Sequence, residues 1–377
     1  MKSISRRQFI QSSAVAATGA AVLTSCATSR SRDEKGMVFP GTDWRRCAPE
    51  EMDLDSVAID RARDETVQAA GDGPHSAVVI RYGRLVAEWY HQTTPDQQQP
   101  MASVCKSVFC SMLGIAVAEG RIHSIDDRLV DYYPEMMECS GEFGANTKQF
   151  VTEKDRAVTF RQVAAQIDGF MQPDEPTGKV FHYRTFNMAA MMHAIAKSYG
   201  FYDAPDPQSK PGDGELIAQK LRDPIGGTWS WKYMNFKFPE TAKYTIFMNY
   251  PHLQMTTRDM ARIGHLWLNG GRWAGRAVIP AVHQRDATHV PEITRANIAP
   301  DNWKYGYGLW LNEFGRLWPN LPRDSYTAAG AGGRLIWVCP SLGLVVAQNP
   351  AVPNKDFFKL VLQGELQERV LAACRGS

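Results

Sequence analysis

The sequence predicts an α/β (α+β) protein: a single antiparallel sheet covered by helices, with a mostly helical part beside it over about residues 101–290. Three observations lead there. Strand-like runs lie near both ends of the chain, and helical spacing fills the stretch between them. The length, 377 residues at 44% hydrophobic and 22% charged, suits one large domain.

In chain order the first element is an address. "MKSISRRQFIQSSAVAATGAAVLTSC" has a polar, basic start and then a small-residue apolar run from Ala14 to Leu23, too short to anchor in a bilayer. "SRRQFI" resembles a twin-arginine export signal. "LTSC" resembles a lipoprotein cleavage box, which would make Cys26 the lipidated first residue of the mature chain. Ala27 after it leans toward the outer membrane. Residues 1–26 thus read as an export signal, 27–50 as a polar tether and 51–377 as the domain. The expected location is periplasmic, with membrane attachment only through Cys26.

"HSAVVIRYGRLVAEWYH" reads as a hairpin, two β-branched and aromatic runs around a glycine turn. "SVCKSVFCSMLGIAVA" follows, apolar at three- and four-residue steps and largely apolar elsewhere, so a buried helix is expected. "VTFRQVAAQIDGF" and "FNMAAMMHAIAKSYG" carry helical spacing, the second stopping at Gly200. "MTTRDMARIGHLWLNGG" is a helix punctuated at both ends. In "GGTWSWKYMNFKF", residues Trp229, Trp231, Tyr233, Phe236 and Phe238 suit an edge strand or core plug at least as well as a substrate wall. "GRLIWVCPSLGLVVAQN" is a second hairpin, and "DFFKLVLQGELQERVLAAC" an amphipathic helix. Pairing the early hairpin with the late one, under terminal helices, is the simplest architecture.

Charge and cysteine content exclude several functions. Formal net charge is +2, but Lys2, Arg6 and Arg7 fall in the signal, leaving 39 basic and 40 acidic residues. No basic stripe supports nucleic-acid binding. There is no CxxC pair, no H-E-x-x-H, no P-loop and no dinucleotide fingerprint, so neither metal nor cofactor is expected. No G-x-S-x-G elbow occurs, which disfavours an α/β-hydrolase. Cys47 and Cys374 could bridge the two ends of the domain in an oxidising compartment.

The chemistry centres on "SVCK". Ser103 and Lys106 stand three apart, so on a helix they share a face. A serine hydroxyl needs a base, and a lysine is a base only when desolvation or a nearby cation holds it neutral. The apolar surroundings of Lys106 supply the desolvation. Ser-x-x-Lys alone is weak, since a chain this long holds about one by chance.

Its position strengthens the reading. A hairpin, a short loop and then Ser-x-x-Lys opening a buried helix resembles the class C β-lactamase-related serine hydrolases, a β-lactamase/transpeptidase-like fold. "FHYRTFNMAAMMHAIAKSYG" resembles their second motif, with Tyr183 as its tyrosine, Thr185 in its third place and Asn187 at a further polar position. "MTTRDMARIGHLWLNGGRWAGRAVIP" and "YGYGLW" with "AAGAGGRLIWVCPSLGLVVAQN" resemble the later segments, and the pattern is most similar to the esterase and 6-aminohexanoate-dimer hydrolase branch. The resemblance implies Ser103 as the acylated nucleophile, Lys106 sharing its proton, and Tyr183 as general base and then acid. It further implies an oxyanion site between the backbone N–H groups of Ser103 and Arg334, with Thr185, Asn187, Gly332 and Gly333 at the substrate.

One departure bears on the substrate. Where penicillin-binding relatives carry a cation, a hydroxyl and a glycine, the aligned residues are Ala331, Gly332 and Gly333. The expected result is weak carboxylate recognition and a small ester or linear amide as substrate. The Arg334 side chain is expected to point away. A β-lactamase or D-amino-acid peptidase is the alternative within the family, and an idle cell-wall-binding protein the alternative outside catalysis.

Overall fold

The computed structural model describes residues 36–138, 150–234, 250–349 and 364–374. Its elements are α1 (Ser56–Ala70), β1 (His75–Arg81), β2 (Arg84–His91), β3 (Gln99–Pro100), α2 (Val104–Ala118), α3 (Phe186–Ser198), β4 (Ser230–Met234), β5 (Tyr250–Met255), α4 (Thr257–Leu268), β6 (Trp310–Leu311), β7 (Tyr326–Gly330), β8 (Arg334–Cys339), β9 (Leu344–Gln348) and α5 (Glu365–Ala372), with shorter helical turns between them.

Six strands form one sheet in the order β2-β1-β9-β8-β7-β6. The early hairpin pairs with the late one through β1 and β9, antiparallel, with Val79 opposite Val346. Alternation along the strands divides two cores. Val78, Ile80, Ile336, Val338 and Val345 face the helical side, whereas Ala77, Val79, Trp337, Val346 and Leu344 face α1 and α5. Burial on both faces explains why these strands read as unbroken apolar runs.

The helix α2 is buried at every position from Val104 to Ala116, as its composition predicts. The "MTTRDMARIGHLWLNGG" helix, α4, starts on a Thr256 cap that accepts from Asp259 N–H and lies against β1, β8 and β9. The helix in "VTFRQVAAQIDGF" is shorter than its spacing suggests, covering only Phe160–Ala164. Trp229 is fully buried, while Ser230–Met234 is an exposed edge strand of a small sheet ordered β3-β5-β4. Phe236, Phe238 and the first part of the last predicted helix lie outside the described residues.

Two expectations change. The tether does not extend to residue 50. Val38 N–H donates to Tyr82 O (3.1 Å), Leu85 N–H to Arg45 O (2.9 Å) and Cys47 N–H to Leu85 O (3.2 Å), and Trp44 is buried in the helical-side core. Polar composition hid this strap because it packs through backbone bonds and a few scattered apolar side chains, Met37, Phe39 and Trp44. The Cys47–Cys374 bridge is also absent: both are free thiols, and Cys374 accepts from Arg81 Nη1 at 2.9 Å in the α1/α5 core.

Close approach of α4 to the sheet depends on Gly264. A Cβ there would lie 2.5 Å from Val345 Cγ1 and 2.7 Å from Ile336 Cγ2. Gly264→Val is expected to cost about 2 kcal/mol in urea unfolding. Gly41→Ala, which meets nothing within 4 Å, is expected to stay within about 0.5 kcal/mol of wild type.

Candidate active site

The nucleophile candidate sits where the two sheets meet. β3 pairs with β5, and Met101 N–H continues the contact by donating to Leu253 O at 2.9 Å. Ala102 then takes a left-handed conformation, φ 49°, and the chain enters α2. Ser103 stands at the N-cap of that helix, yet its hydroxyl makes no capping bond. Instead it accepts from Lys106 Nζ at 2.8 Å. An ordinary cap would turn its oxygen toward the N–H groups of the first turn. This one is turned to an amine.

Lys106 is 1% exposed. No carboxylate pairs with it among the described residues, and burial pulls its pKa down to about 8. Its ammonium lies 4.7 Å from the centroid of the Tyr183 ring. Tyr183 is hydrogen-bonded to Ser103 through its hydroxyl; burial raises its pKa, and that bond offsets only part of the rise. The lysine is therefore the easier of the two groups to deprotonate. Tyr305 and Trp310 hold the Tyr183 ring, at 5.8 and 5.2 Å between centroids. The loop carrying Tyr305 is seated on α2: Ser107 Oγ donates to Gly308 O, and a Cβ on Gly308 would lie 3.0 Å from Lys106 O.

Ser103, Lys106 and Tyr183 are thus together, and half-buried Thr185 lies two residues on, at the N-cap of α3, making no capping bond. Other expected residues are placed differently. Asn187 is 1% exposed, its amide donates to Asp168 at 2.7 Å and its oxygen accepts from Met188 N–H, so it cannot reach a substrate. Gly332 and Gly333, at φ 80° and 72°, make the turn between β7 and β8. The strand residue at the serine is Gly330, where a Cβ would lie 2.5 Å from Met101 O and 3.2 Å from Ser103 N.

The Arg334 backbone is not an oxyanion donor. It pairs with Gly330 in the β7–β8 ladder, so its N–H faces β7. Asn312 N–H donates to Ser325 O, which sets the odd-numbered residues of β7 toward β6. By alternation Ala329 and Ala331 turn their backbone groups to the open edge beyond β6, beside Ser103. Ala331 N–H, next after the end of β7, takes the place of Arg334 N–H as the candidate second donor. The third-motif positions shift with it to Ala328, Ala329 and Gly330, which still supply neither cation nor hydroxyl. The Arg334 side chain shares the face of Ile336 and Val338, the helical side.

Sequence reasoning missed Gly330 as the contact residue because six small residues in a row, 328–333, gave no register. It also missed His252, whose Nε2 accepts the Ala102 N–H at 2.9 Å. No spacing rule marks a lone histidine in a strand 150 residues from Ala102.

Comparison with known proteins agrees with this geometry. A model of the beta-lactamase family matches residues 63–357. The chain belongs to the beta-lactamase family. A search of curated proteins found no match. Among solved structures, a protein from Bacteroides dorei assigned as a beta-lactamase superposes with a TM-score of 0.63 at 16% identity, over 85% of this chain and 99% of that one. A family VIII carboxylesterase gives 0.60 at 15% identity, over 87% and 98%. A Bacillus anthracis protein assigned as a 6-aminohexanoate-dimer hydrolase gives 0.59 at 16%, over 89% and 87%. At these identities the likeness establishes the beta-lactamase fold, a fold shared by esterase, amidase and lactamase hydrolases.

The contact at Gly330 makes a prediction. Gly330→Ala is expected to slow labelling of Ser103 by a fluorophosphonate about a hundredfold while near-ultraviolet circular dichroism keeps its native form, because the added methyl displaces the backbone beside the nucleophile.

Proposed function

We propose that the protein is an exported serine hydrolase that cleaves carboxylic esters or small linear amides through an acyl-enzyme on Ser103. The observation that carries this is the 2.8 Å contact between Ser103 Oγ and an amine that burial holds near its neutral form. Absence of a cation and hydroxyl at residues 328–330 favours esters and linear amides over β-lactams.

In the first step Ser103 Oγ attacks the carbonyl carbon as its proton passes to Lys106 Nζ. Negative charge on the carbonyl oxygen meets the Ser103 and Ala331 N–H groups. Tyr183, protonated in the free protein, donates to the departing oxygen or nitrogen and is reprotonated from Lys106. Water then attacks the acyl ester by the reverse route, giving the acid and restoring the serine. Thr185, at the mouth of this arrangement, orients the acyl side.

The test is p-nitrophenol release from a short p-nitrophenyl ester. Ser103→Ala is expected to abolish it, and Lys106→Met to lower kcat about a thousandfold. Retained turnover in Ser103→Ala would end the reading. Only the neutral amine is a base, so kcat/KM is expected to rise with pH along a limb near pH 8 and level above it.

Export and anchoring are proposed from residues 1–26, which lie outside the described residues. Cys26→Ser is expected to move the protein from the detergent phase to the aqueous phase in Triton X-114 partitioning. Equal partitioning of both forms would remove the lipid anchor.

A further inference from the structure

Apart from the serine, lysine and tyrosine, one side chain grips the backbone that carries the nucleophile. Ala102 stands at φ 49°, a region that costs an L-residue about 1 kcal/mol or more and persists only where its surroundings impose it. Met101 N–H and Ala102 O are tied to Leu253 O and Cys105 N–H, at 2.9 and 3.2 Å. The remaining group, Ala102 N–H, donates to His252 Nε2 at 2.9 Å. The imidazole must therefore accept at Nε2, which places its proton on Nδ1. A protonated ring has two donors and no acceptor, and would meet Ala102 N–H donor to donor.

The charged groups around this ring are cations. Arg334 approaches from β8, Lys232 stands opposite it on β4, and Lys106 lies one turn into α2; Tyr250 is two residues away on its own strand. No carboxylate pairs with His252 among the described residues. Burial first, and then the charge of Arg334, holds the imidazole below its ordinary value of 6.5. Arg334 itself has no acidic partner there: its Nη1 donates to Ala331 O, and its buried Nε makes no hydrogen bond.

We infer that His252 is a positioning residue for the nucleophile: its imidazole, accepting the Ala102 N–H, clamps the left-handed turn that aims Ser103. The inference rests on Ser103 being the nucleophile. His252 acts through the backbone and touches no reacting atom.

Two readouts test it: the rate at which a fluorophosphonate labels Ser103, and kcat and KM for p-nitrophenyl butyrate across the acid range. His252→Phe is expected to slow labelling and lower kcat at least about tenfold with KM nearly constant, since the loss is of alignment and not of substrate contact. His252→Gln is expected to recover most of the rate, because its amide oxygen can accept the Ala102 N–H and does not titrate.

Normal labelling in His252→Phe overturns the inference, and so does a His252→Gln variant as slow as His252→Phe, which would reduce the ring to packing. A wild-type chain that fails to label at Ser103 overturns the hydrolase reading and this one together. Normal wild-type labelling beside an unaffected His252→Phe overturns this one alone.

Discussion

Everything at the site depends on an amine placed where water cannot reach it. A lysine ammonium inside a protein is costly, and the usual remedy is a carboxylate partner. Lys106 has none among the described residues; its hydrogen-bond partner is Ser103 Oγ. Between pH 8 and about 10.4 the unfolded chain binds a proton that the folded chain does not. Stability therefore rises with pH across that window, and at neutral pH the fold bears the full cost, about 3 kcal/mol. Cores of this size absorb it: α2 is buried on every face for its first thirteen residues, and the sheet is covered on both sides.

The rest of the architecture brings three separate chain segments to that amine. The small sheet delivers Met101 and Ala102, the β7 edge delivers Gly330 and Ala331, and the loop through Tyr305 and Gly308 fixes the lysine's helix and the Tyr183 ring together. The first two segments make their contacts through backbone or through residues without a bulky side chain. Small residues at 328–333 are thus a requirement of proximity at one end, Gly330, and of turn geometry at the other, Gly332 and Gly333.

Much of this was legible in the sequence. Hairpins were marked by β-branched runs around glycine turns, α2 by apolar residues on all sides, and the nucleophile and its lysine by their spacing at the mouth of that helix. Tyr183 was legible only through resemblance. What stayed hidden was register and reach. One glycine in "GAGG" cannot be told from the next without the ladder, so the oxyanion donor was assigned three residues late. Asn187 looked like a polar group at a substrate, but a buried Asp168 had claimed its amide. His252 left no trace, because a contact between a strand and a distant turn has no period.

The strap over residues 36–50 has a consequence for where the molecule can go. Because the Val38 N–H is already tied to Tyr82 O, eleven residues separate Cys26 from Val38. Fully extended, that stretch spans at most about 43 Å. A domain of this size is about 50 Å across. If a lipid holds Cys26, the leash is shorter than the body it restrains. The catalytic cleft could then patrol only the layer of solvent lying against the membrane, and diffusion along that surface would decide which molecules it meets.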